Sequence, residues 1–376
     1  MVRYEQLDDD QKRFVDDEIN KKGNIWVKGF AGCGKSVMLV HVVRKKLSEN
    51  KNSRIAVVVY TYSLIDMFKQ GMKDIGLGEI PVMTHYQFMK DSNTYDYILV
   101  DEVQDLPADV LTSMKNRCNN VIVAGDVNQS IYDNTVTELE AEGILSARPF
   151  ILTRIYRLTR SIMSAVSSLM PRLDIFSAKR DMSKKDVTIR LVKALSKEEE
   201  IKYVYEQSSE ASSEGYSSAI LLPKHEYIID FANGVLKKLN KPLWEVRKNN
   251  WGSFDYGSLN SHLLKQGVKL EYVGNSYGSF SNAAMKKNTI IMTYHSAKGM
   301  DFANVFLPFL SNSTSIARSN ADTLLMVAMT RSNENLFITY SDYLHSLVSK
   351  FKSSCQSIDL TTTKLSNKEG DFDFDF

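Results

Sequence analysis

One segment of this sequence, GFAGCGKS at residues 29–36, constrains the fold more than any other. It matches the pattern GxxxxGK[ST] at every fixed position. A short β-prone run, residues 25–30, leads into it, and a helical pattern that ends in a lysine pair, residues 36–50, leads out of it. A strand, a glycine-rich loop and a helix in this order predict an α/β domain with the loop at the end of a buried strand.

The residue types in this loop suit a phosphate ligand. Gly29, Gly32 and Gly34 let the backbone bend so that its N–H groups converge on phosphate oxygens. The helix that follows adds positive potential at its N-terminus. Lys35 can reach the β- and γ-phosphates of a nucleotide, and the Ser36 hydroxyl can bind Mg²⁺. A chance glycine-rich turn is the alternative, and the flanking strand and helix argue against it.

An acidic pair closes a later strand. The run at residues 95–103, YDYILVDEV, places Asp101 and Glu102 at the carboxyl edge of a parallel sheet, where ligands bind in open α/β folds. Asp101 suits Mg²⁺ coordination, directly or through water. Glu102 suits positioning and polarising an attacking water. On its own such a pair is often a solvated turn, but a P-loop upstream favours the functional interpretation.

Short apolar runs alternate with helical patterns along the chain, which predicts βαβ units and parallel sheets covered on both faces. The 376 residues favour two domains. We expect the first at residues 1–140, the second at 141–350 and a flexible acidic-aromatic tail at 351–376. The predicted strands are residues 25–30, 54–61, 95–103, 120–126, 218–224, 268–274, 288–295, 304–310 and 334–341. The predicted helices are residues 36–50, 63–75, 196–212 and 225–240.

The composition excludes several classes of protein. Hydrophobic residues at 43% and charged residues at 24% are typical of a globular chain rather than a disordered one. The sequence contains no run of about 18 apolar residues, so a membrane span is not predicted. The charged N-terminus is unlike a signal peptide. Cys33, Cys118 and Cys355 form no CxxC pair, so we expect a cytoplasmic protein. The net charge of +2 does not indicate a nucleic-acid-binding protein, so any nucleic-acid site has to be a local basic groove.

Further segments, in this order, resemble the motifs of the superfamily 1 helicases, and the UvrD/Rep-like branch most closely. They are LDDDQ (7–11), GFAGCGKS (29–36), VVYTYS (58–63), THYQF (84–88), DEVQD (101–105), AGDVNQSIYD (124–133), LTRIYRLTRSI (152–162), TYHSAKGMDFANVFLP (293–308) and LLMVAMTRSNENLFITYS (324–341). The resemblance implies two RecA-like P-loop NTPase domains with parallel sheets, an ATP site in the cleft between the domains, and ATP and Mg²⁺ as cofactors.

The resemblance also implies catalytic roles. Lys35 and Glu102 keep the roles given above, and Gln129 would link the nucleotide state to the strand-binding side. Arg157 and Arg331, both expected from the second domain, would act as arginine fingers that stabilise charge on the transferring phosphoryl group. Each arginine alone would more often be a surface charge.

Nucleotide binding is implied for a wider set. Gln11 would read the adenine edge and Tyr156 would stack beside the base. Gly299 and Asp301 belong to the later motif, where Asp301 would take the place of the family's usual glutamate near the ribose. The set implied for nucleotide is Gln11, Gly29, Gly32, Gly34, Lys35, Ser36, Tyr156, Gly299 and Asp301. The set implied for the metal is Ser36 and Asp101.

The function implied is an ATP-dependent helicase or translocase of the UvrD/Rep type, an ATP-binding hydrolase that moves on single-stranded nucleic acid, with DNA favoured over RNA. Tyr60, His85, Phe88 and Tyr132 would line a stacking track for the strand. Tyrosine and phenylalanine at strand ends are also common core or rim residues, so both interpretations stay open.

Departures from the family leave a second function open. The accessory insertions are nearly absent, and only a short basic and aromatic insert, residues 237–258, fits between the motifs. Asp133 and Asn134 replace an aromatic-Arg-Gly continuation, which favours ATPase and translocase activity over unwinding. The alternative is a nucleotide-gated interaction module that signals to a partner such as a nuclease, through the insert or the tail. The sequence leaves polarity, DNA against RNA, and the partner undecided.

Overall fold

The computed structural model describes residues 2–118, 120–132, 135–180, 185–250 and 252–363. Within it the chain divides into two compact units. The first unit runs to Leu158 and takes in a return segment that starts at Ile175. The second unit begins at Thr159 and resumes after that return segment.

The first unit is built on one main sheet. Its strands are β1 (Ile25–Lys28), β2 (Ile55–Val59), β3 (Val82–Thr84), β4 (Tyr97–Val100), β5 (Val121–Gly125) and β6 (Arg148–Ile151). They run in the order β3-β2-β4-β5-β1-β6, and each neighbouring pair is parallel. A short parallel pair, β7 (Arg154–Ile155) and β8 (Lys179–Arg180), joins the return segment to this unit. The apolar run of β2 is buried along its whole length, as expected of a strand covered on both faces.

Helices connect these strands. They are α1 (Asp9–Asp16), α2 (Lys35–Glu49), α3 (Tyr62–Asp74), α4 (His85–Lys90), α5 (Ala108–Arg117) and α6 (Glu138–Leu145). Local sequence sets several of their starts: Asp8, Thr84 and Thr137 each accept a hydrogen bond from the backbone of the third helical residue. Glutamine or glutamate at that third residue closes a capping box.

The second unit repeats this plan. Its strands are β9 (Thr188–Lys193), β10 (Ser218–Leu222), β11 (Leu270–Tyr272), β12 (Thr289–Thr293), β13 (Phe302–Leu307), β14 (Ser332–Tyr340) and β15 (Gln356–Asp359), in the order β11-β12-β10-β13-β14-β9-β15. These pairs are also parallel. The helices are α7 (Arg160–Leu169), α8 (Lys197–Glu214), α9 (His225–Lys238), α10 (Tyr256–Lys265), α11 (Phe280–Met285), α12 (Ala321–Met329), α13 (Ser346–Ser349) and α14 (Leu360–Thr363). The prediction of two parallel-sheet α/β domains is confirmed.

Each predicted strand is present, but among the described residues four strands of the two main sheets and the short pair β7 and β8 escaped prediction. β3 and β15 are short, and β9 carries charged residues among its apolar ones. β6 contains Pro149, which cannot donate to a ladder and which β6 tolerates because it is the edge strand of the first sheet. Helix α5 was also missed, although its last turn is basic.

Two predicted boundaries differ from the structure. The division falls after Leu158 rather than at residue 140, because β6 pairs with β1 from Ile25 opposite Arg148 to Lys28 opposite Ile151. The start of the predicted tail is also structured, because β15 pairs with β9 at Ile358 and Val192. The acidic-aromatic residues 364–376 lie outside the described residues. Among the described residues, none of the helices combines the length and apolar character that crossing a membrane requires.

Candidate active site

The glycine-rich loop joins the carboxyl end of β1 to the start of α2. Gly34 adopts a left-handed conformation, φ 86°, as the N-cap of α2, which favours glycine because an L side chain is strained there. The Lys35 side chain folds back over the loop, and its Nζ donates to the carbonyl oxygens of Gly29 at 2.7 Å and Phe30 at 3.1 Å. The lysine is thus held inside the loop that it is predicted to serve.

Other segments approach the loop where side chains are missing. A Cβ on Gly29 would lie 3.1 Å from Cβ of Leu152, and one on Gly32 would overlap Arg157. A Cβ on Gly34 would lie 2.5 Å from Nε2 of Gln11. Besides any role in phosphate binding, the glycines therefore admit close neighbours.

The acidic pair lies beside this loop. Ser36 Oγ donates to Oδ2 of Asp101 at 2.5 Å, and Asp101 is only 1% exposed. Burial and the neighbouring Glu102 raise the pKa of Asp101 to about 6, although Ser36 and Lys35 act in the opposite direction. A hydroxyl and a carboxylate this close are hard oxygen donors of the kind that Mg²⁺ prefers, and a cation would relieve the buried charge. The pair fits the predicted metal role.

Lys35 supplies the positive charge of the site. Burial alone would lower the pKa of Lys35, but the net shift is upward because the carboxylates of Glu102, Asp126 and Asp101 favour the charged ammonium group. Burial raises the pKa of the Cys33 thiol, so this cysteine stays neutral. The lysine therefore remains charged while buried.

Glu102 adopts an unusual backbone conformation. Its φ of 56° lies in the left-handed region, which is strained for a residue other than glycine. The side chain is 7% exposed, and its Oε2 accepts a hydrogen bond from Nε2 of Gln104 at 2.5 Å. Strain of this kind is concentrated at functional sites, where the surrounding structure maintains it.

A short 3-10 turn at Val127–Gln129 continues the polar site. Gln129 Nε2 donates to Oδ2 of Asp126 at 2.6 Å, and Asp126 directly follows β5 as the N-cap of the turn. The backbone N–H of Asp126 donates to Oε1 of Gln104 at 3.1 Å. Asp126 and Gln104 were missed by sequence reasoning, although both stand in quoted motifs and Asp126 is the last residue of the predicted strand 120–126. The predicted role of Gln129 stays a prediction.

Gln11 and Tyr156 contact the loop from outside. Gln11 Nε2 donates to the carbonyl oxygen of Cys33 at 3.1 Å, and its Oε1 accepts from the backbone N–H of Asp8 at 3.2 Å. The Tyr156 hydroxyl donates to the Asp8 carboxylate, and the Tyr156 backbone N–H donates to the carbonyl of Gly32 at 2.9 Å. The Gln11 amide thus already has a donor and an acceptor partner, and contact of either side chain with adenine stays a prediction.

Arg157 is not where we expected it. The prediction assigned it to the second domain, but it belongs to the first unit and its Cβ lies against Gly32 of the loop. The reason is the pairing of β6 with β1, which carries the chain back over the loop before it crosses to the second unit. A role for Arg157 at the phosphates would therefore come from the first unit's own chain.

The remaining predicted nucleotide residues lie in the second unit. Arg331 is 2% exposed, and its guanidinium donates to the carbonyl oxygens of Val327 at 2.8 Å and Met300 at 3.3 Å and to the Thr330 hydroxyl at 2.9 Å. Gly299 has a left-handed φ of 82°, and Asp301 is exposed. Arg331 thus stabilises its own unit, and the nucleotide contacts of all three stay predictions.

Three of the four predicted strand-contact rings form one pile. Tyr60 stacks on Tyr132 with ring centroids 4.0 Å apart, and on His85 at 4.8 Å. Tyr86, next to His85 on α4, is 70% exposed and was missed by sequence reasoning. Tyr86 stands in THYQF directly after His85, but the sequence alone does not show that Tyr86 is exposed and Phe88 buried.

Phe88 contradicts its prediction. The side chain has no exposed surface, and the Arg117 guanidinium lies 4.0 Å from its ring centroid. A ring covered in this way cannot stack on a base while the unit is folded. Phe88 is a core residue of the first unit.

The short insert at residues 237–258 is anchored to the core of the second unit by two buried rings, Trp244 and Tyr256, while most of its other described residues are exposed. Trp244 is 4% exposed, and its Nε1 donates to the Ser258 hydroxyl at 3.2 Å. Tyr256 is 1% exposed and hydrogen-bonds His225 Nδ1 at 2.5 Å. Trp251 lies outside the described residues. Trp244 and Tyr256 are therefore core residues rather than strand-binding rings, and a role of the exposed part of the insert stays a prediction.

The first unit thus combines, at one sheet edge, a P-loop, a buried serine-aspartate contact and a strained glutamate. This is the arrangement of a P-loop NTPase. Residues 25–225 match the family model described as the viral superfamily 1 RNA helicase core domain, which is more than half of the 376 residues. The chain belongs to that family. Residues 264–343 match the UvrD-like helicase C-terminal domain, so the predicted superfamily 1 resemblance is confirmed.

Two solved structures are also similar to the chain. The PRRSV helicase is 11% identical with a TM-score of 0.47, over 85% of this chain and 52% of that one. Arterivirus nonstructural protein 10 (helicase), in complex with DNA, is 14% identical with a TM-score of 0.45, over 88% of this chain and 63% of that one. The chain spans less than two-thirds of the length of either. No curated protein sequence matches it.

Proposed function

We propose that this chain is a nucleic-acid-stimulated ATPase motor that hydrolyses ATP with Mg²⁺ and moves along a single strand. One observation carries the proposal: Ser36 of the P-loop helix donates to Asp101 of the acidic pair at 2.5 Å. This contact joins the phosphate-binding loop to the carboxylates in one unit. The family membership supports hydrolysis of a nucleoside triphosphate, and ATP and Mg²⁺ are our finer assignment.

The proposed chemistry uses residues already close together. Ser36 and Asp101 would hold Mg²⁺, which when bound neutralises charge on the β- and γ-phosphates. Lys35 would exchange its loop carbonyls for phosphate oxygens as donor partners. Glu102 would orient the attacking water and accept its proton. Because these groups are buried, they act in a site of low dielectric, where electrostatic interactions are stronger than in water.

We assign strand contact to the ring pile and to Tyr86 beside it. Both ring neighbours of Tyr60 lie at stacking distance, so a base that stacks on Tyr60 has to displace one of them. Tyr86 and Tyr62, 70% and 46% exposed, already offer ring surface to a base. Stacking of about 1–3 kcal/mol per base suits a track that does not depend on sequence.

The branch of the family, the strand, the direction of movement and the preference for translocation are further proposals of ours. The UvrD-like match in the second unit favours the UvrD/Rep type, DNA as the strand and 3′–5′ movement, while the core match is to a family described for RNA. The short internal insertions favour translocation over processive unwinding. Tailed duplexes of DNA and RNA, with either polarity of tail, test strand, direction and unwinding in one assay.

The decisive experiment is ATP turnover by the full chain with Mg²⁺, alone and with poly(dT) or poly(U). We expect Lys35→Ala and Glu102→Gln to lower turnover by about 100-fold or more, because each removes a charge aimed at the reacting groups. Lys45→Ala, towards the C-terminal end of the same helix and 35% exposed in its side chain, is the matched control and should retain activity.

Two results would count against the proposal. Full turnover by Glu102→Gln would remove the assigned base and with it the assigned hydrolytic site. Turnover that neither strand increases would remove the motor function and leave only a nucleotide-gated ATPase.

A further inference from the structure

Gln104 is buried at the acidic pair and uses both ends of its amide. It is 1% exposed and lies on the 3-10 turn Val103–Asp105. Nε2 donates to Oε2 of Glu102 at 2.5 Å, and Oε1 accepts from the backbone N–H of Asp126 at 3.1 Å. The amide is planar, so one partner at each end fixes its rotation and its orientation.

Gly125, the last residue of β5, makes room for this amide. A Cβ at Gly125 would overlap Oε1 of Gln104 and would lie 2.8 Å from Cγ1 of Val103. Gly125 is not among the glycines with positive φ, so its backbone conformation suits any residue. The close approach of Gln104 is therefore the reason that a glycine stands at this position.

The Glu102 carboxylate is the group that this amide orients. The hydrogen bond joins a neutral donor to an ionisable acceptor, which is the stronger class of such bonds. Gln104 accepts from the backbone N–H of Asp126, and the Asp126 side chain accepts from Gln129. The orientation of the Glu102 carboxylate therefore depends on the end of β5 and on the turn that follows it. The link spans β4 and β5, which are neighbours in the sheet.

We propose that Gln104 is a positioning residue for hydrolysis: it holds the Glu102 carboxylate at the angle needed to activate water, and Gly125 is its steric counterpart. The inference rests on the proposed role of Glu102 as the base. The side-chain amide of Gln104 hydrogen-bonds Glu102 and the backbone of Asp126 rather than Lys35, Ser36 or Asp101, so its effect should fall on the chemical step.

Steady-state ATP hydrolysis by the full chain, with Mg²⁺ and saturating poly(dT), tests this. Gln104→Met removes the amide at similar length, and we expect kcat to fall about 10- to 100-fold while KM for ATP stays within about twofold. Gly125→Ala should lower kcat in the same way by displacing the amide. Gly143→Ala, on α6 with open space around it, is the matched control and should keep wild-type kinetics.

A double variant separates positioning from general structural damage. If Gln104 acts through Glu102, adding Gln104→Met to Glu102→Gln leaves the single-turnover rate of the latter unchanged, whereas independent damage multiplies the two losses. Gln104→Asn, one methylene shorter, should lose kcat similarly and replaces the methionine variant if that variant does not fold.

The outcomes distinguish the two proposals. Wild-type kcat in both Gln104 variants, together with an inactive Glu102→Gln, would overturn the positioning role and leave the proposed function intact. Multiplied losses in the double variant would also overturn it. An active Glu102→Gln would instead overturn the proposed function on which the inference rests.

Discussion

Helix α4 offers a direct test of which rings belong to the core. Phe88 and Tyr86 stand two positions apart on this helix, yet Phe88 is fully buried and Tyr86 is 70% exposed. Replacing each by alanine removes a ring of similar size, from the buried core at Phe88 and from the exposed surface at Tyr86. We expect Phe88→Ala to destabilise the first unit strongly and Tyr86→Ala to leave its stability unchanged.

The magnitude follows from burial. Removing a buried phenylalanine side chain costs about 3–5 kcal/mol, from lost transfer free energy and the cavity left behind. Arg117, whose guanidinium is 4.0 Å from the ring centroid and whose side chain is 15% exposed, adds about 1 kcal/mol. The loss should therefore reach the upper part of that range, which is about a thousandfold in the folding equilibrium. Tyr86→Ala should stay within about 0.5 kcal/mol.

Urea unfolding followed by tryptophan fluorescence is the assay. The chain has three tryptophans, and Trp26 shares the hydrophobic core of Phe88. Replacing Trp244 and Trp251 by phenylalanine in the reference protein makes Trp26 the reporter for the first unit. The same proteins are then assayed for poly(dT)-stimulated turnover, where Tyr86→Ala should reduce stimulation. A Phe88→Ala variant of unchanged stability that loses strand stimulation would refute the core assignment and restore Phe88 to the strand track.

Three further predictions follow from burial, backbone conformation and charge. Gly32→Ala should weaken nucleotide binding and lower the melting temperature, because the new Cβ would overlap Arg157 and the backbone has φ 75°. The control is Gly23→Ala, which has φ 96° and open space around it and so carries the backbone strain alone. Equal effects of the two substitutions would refute the steric argument. Without Mg²⁺, Asp101→Asn should be more stable than the wild type above pH 6. Since the pKa of Asp101 is raised to about 6, the folded wild type holds a proton that the unfolded chain has lost, so its stability falls between about pH 4 and 6. Urea midpoints measured across this range check it, and a difference that does not grow with pH would contradict it. Arg331→Ala should destabilise the second unit by about 2–4 kcal/mol, because three hydrogen bonds of a buried guanidinium are lost; unchanged thermal unfolding with lost turnover would instead favour a purely catalytic arginine.

Much of the fold was predictable because its signals are local. Buried parallel strands such as β2 and β5 are continuous apolar runs, and the P-loop pattern needs only its own eight residues and their neighbours. The strands that escaped prediction are those whose sequence shows no clear pattern of apolar residues. β6 contains a proline, β3 and β15 are short, and each is a strand because a partner strand lies beside it.

The candidate site divides in the same way. The sequence predicted four of the candidate site residues, because each is a characteristic residue type at a fixed distance from a strand end. They are Lys35, Ser36, Asp101 and Glu102. Gln104 belongs to the motif DEVQD, but its partners are Glu102 and the backbone N–H of Asp126, which follows β5. Only the folded sheet brings Asp126 within hydrogen-bonding distance.

By itself, the sequence determined the class of fold and the order of its motifs, and it predicted the nucleotide chemistry, because short-range backbone geometry and residue type carry these signals. Only the tertiary structure decided that Arg157 belongs to the first unit, that Phe88 lies under Arg117 and that Gln104 and Gly125 meet behind the glutamate. Those outcomes depend on which distant segments pack together. That packing follows from sheet order and steric fit, which no window of sequence contains.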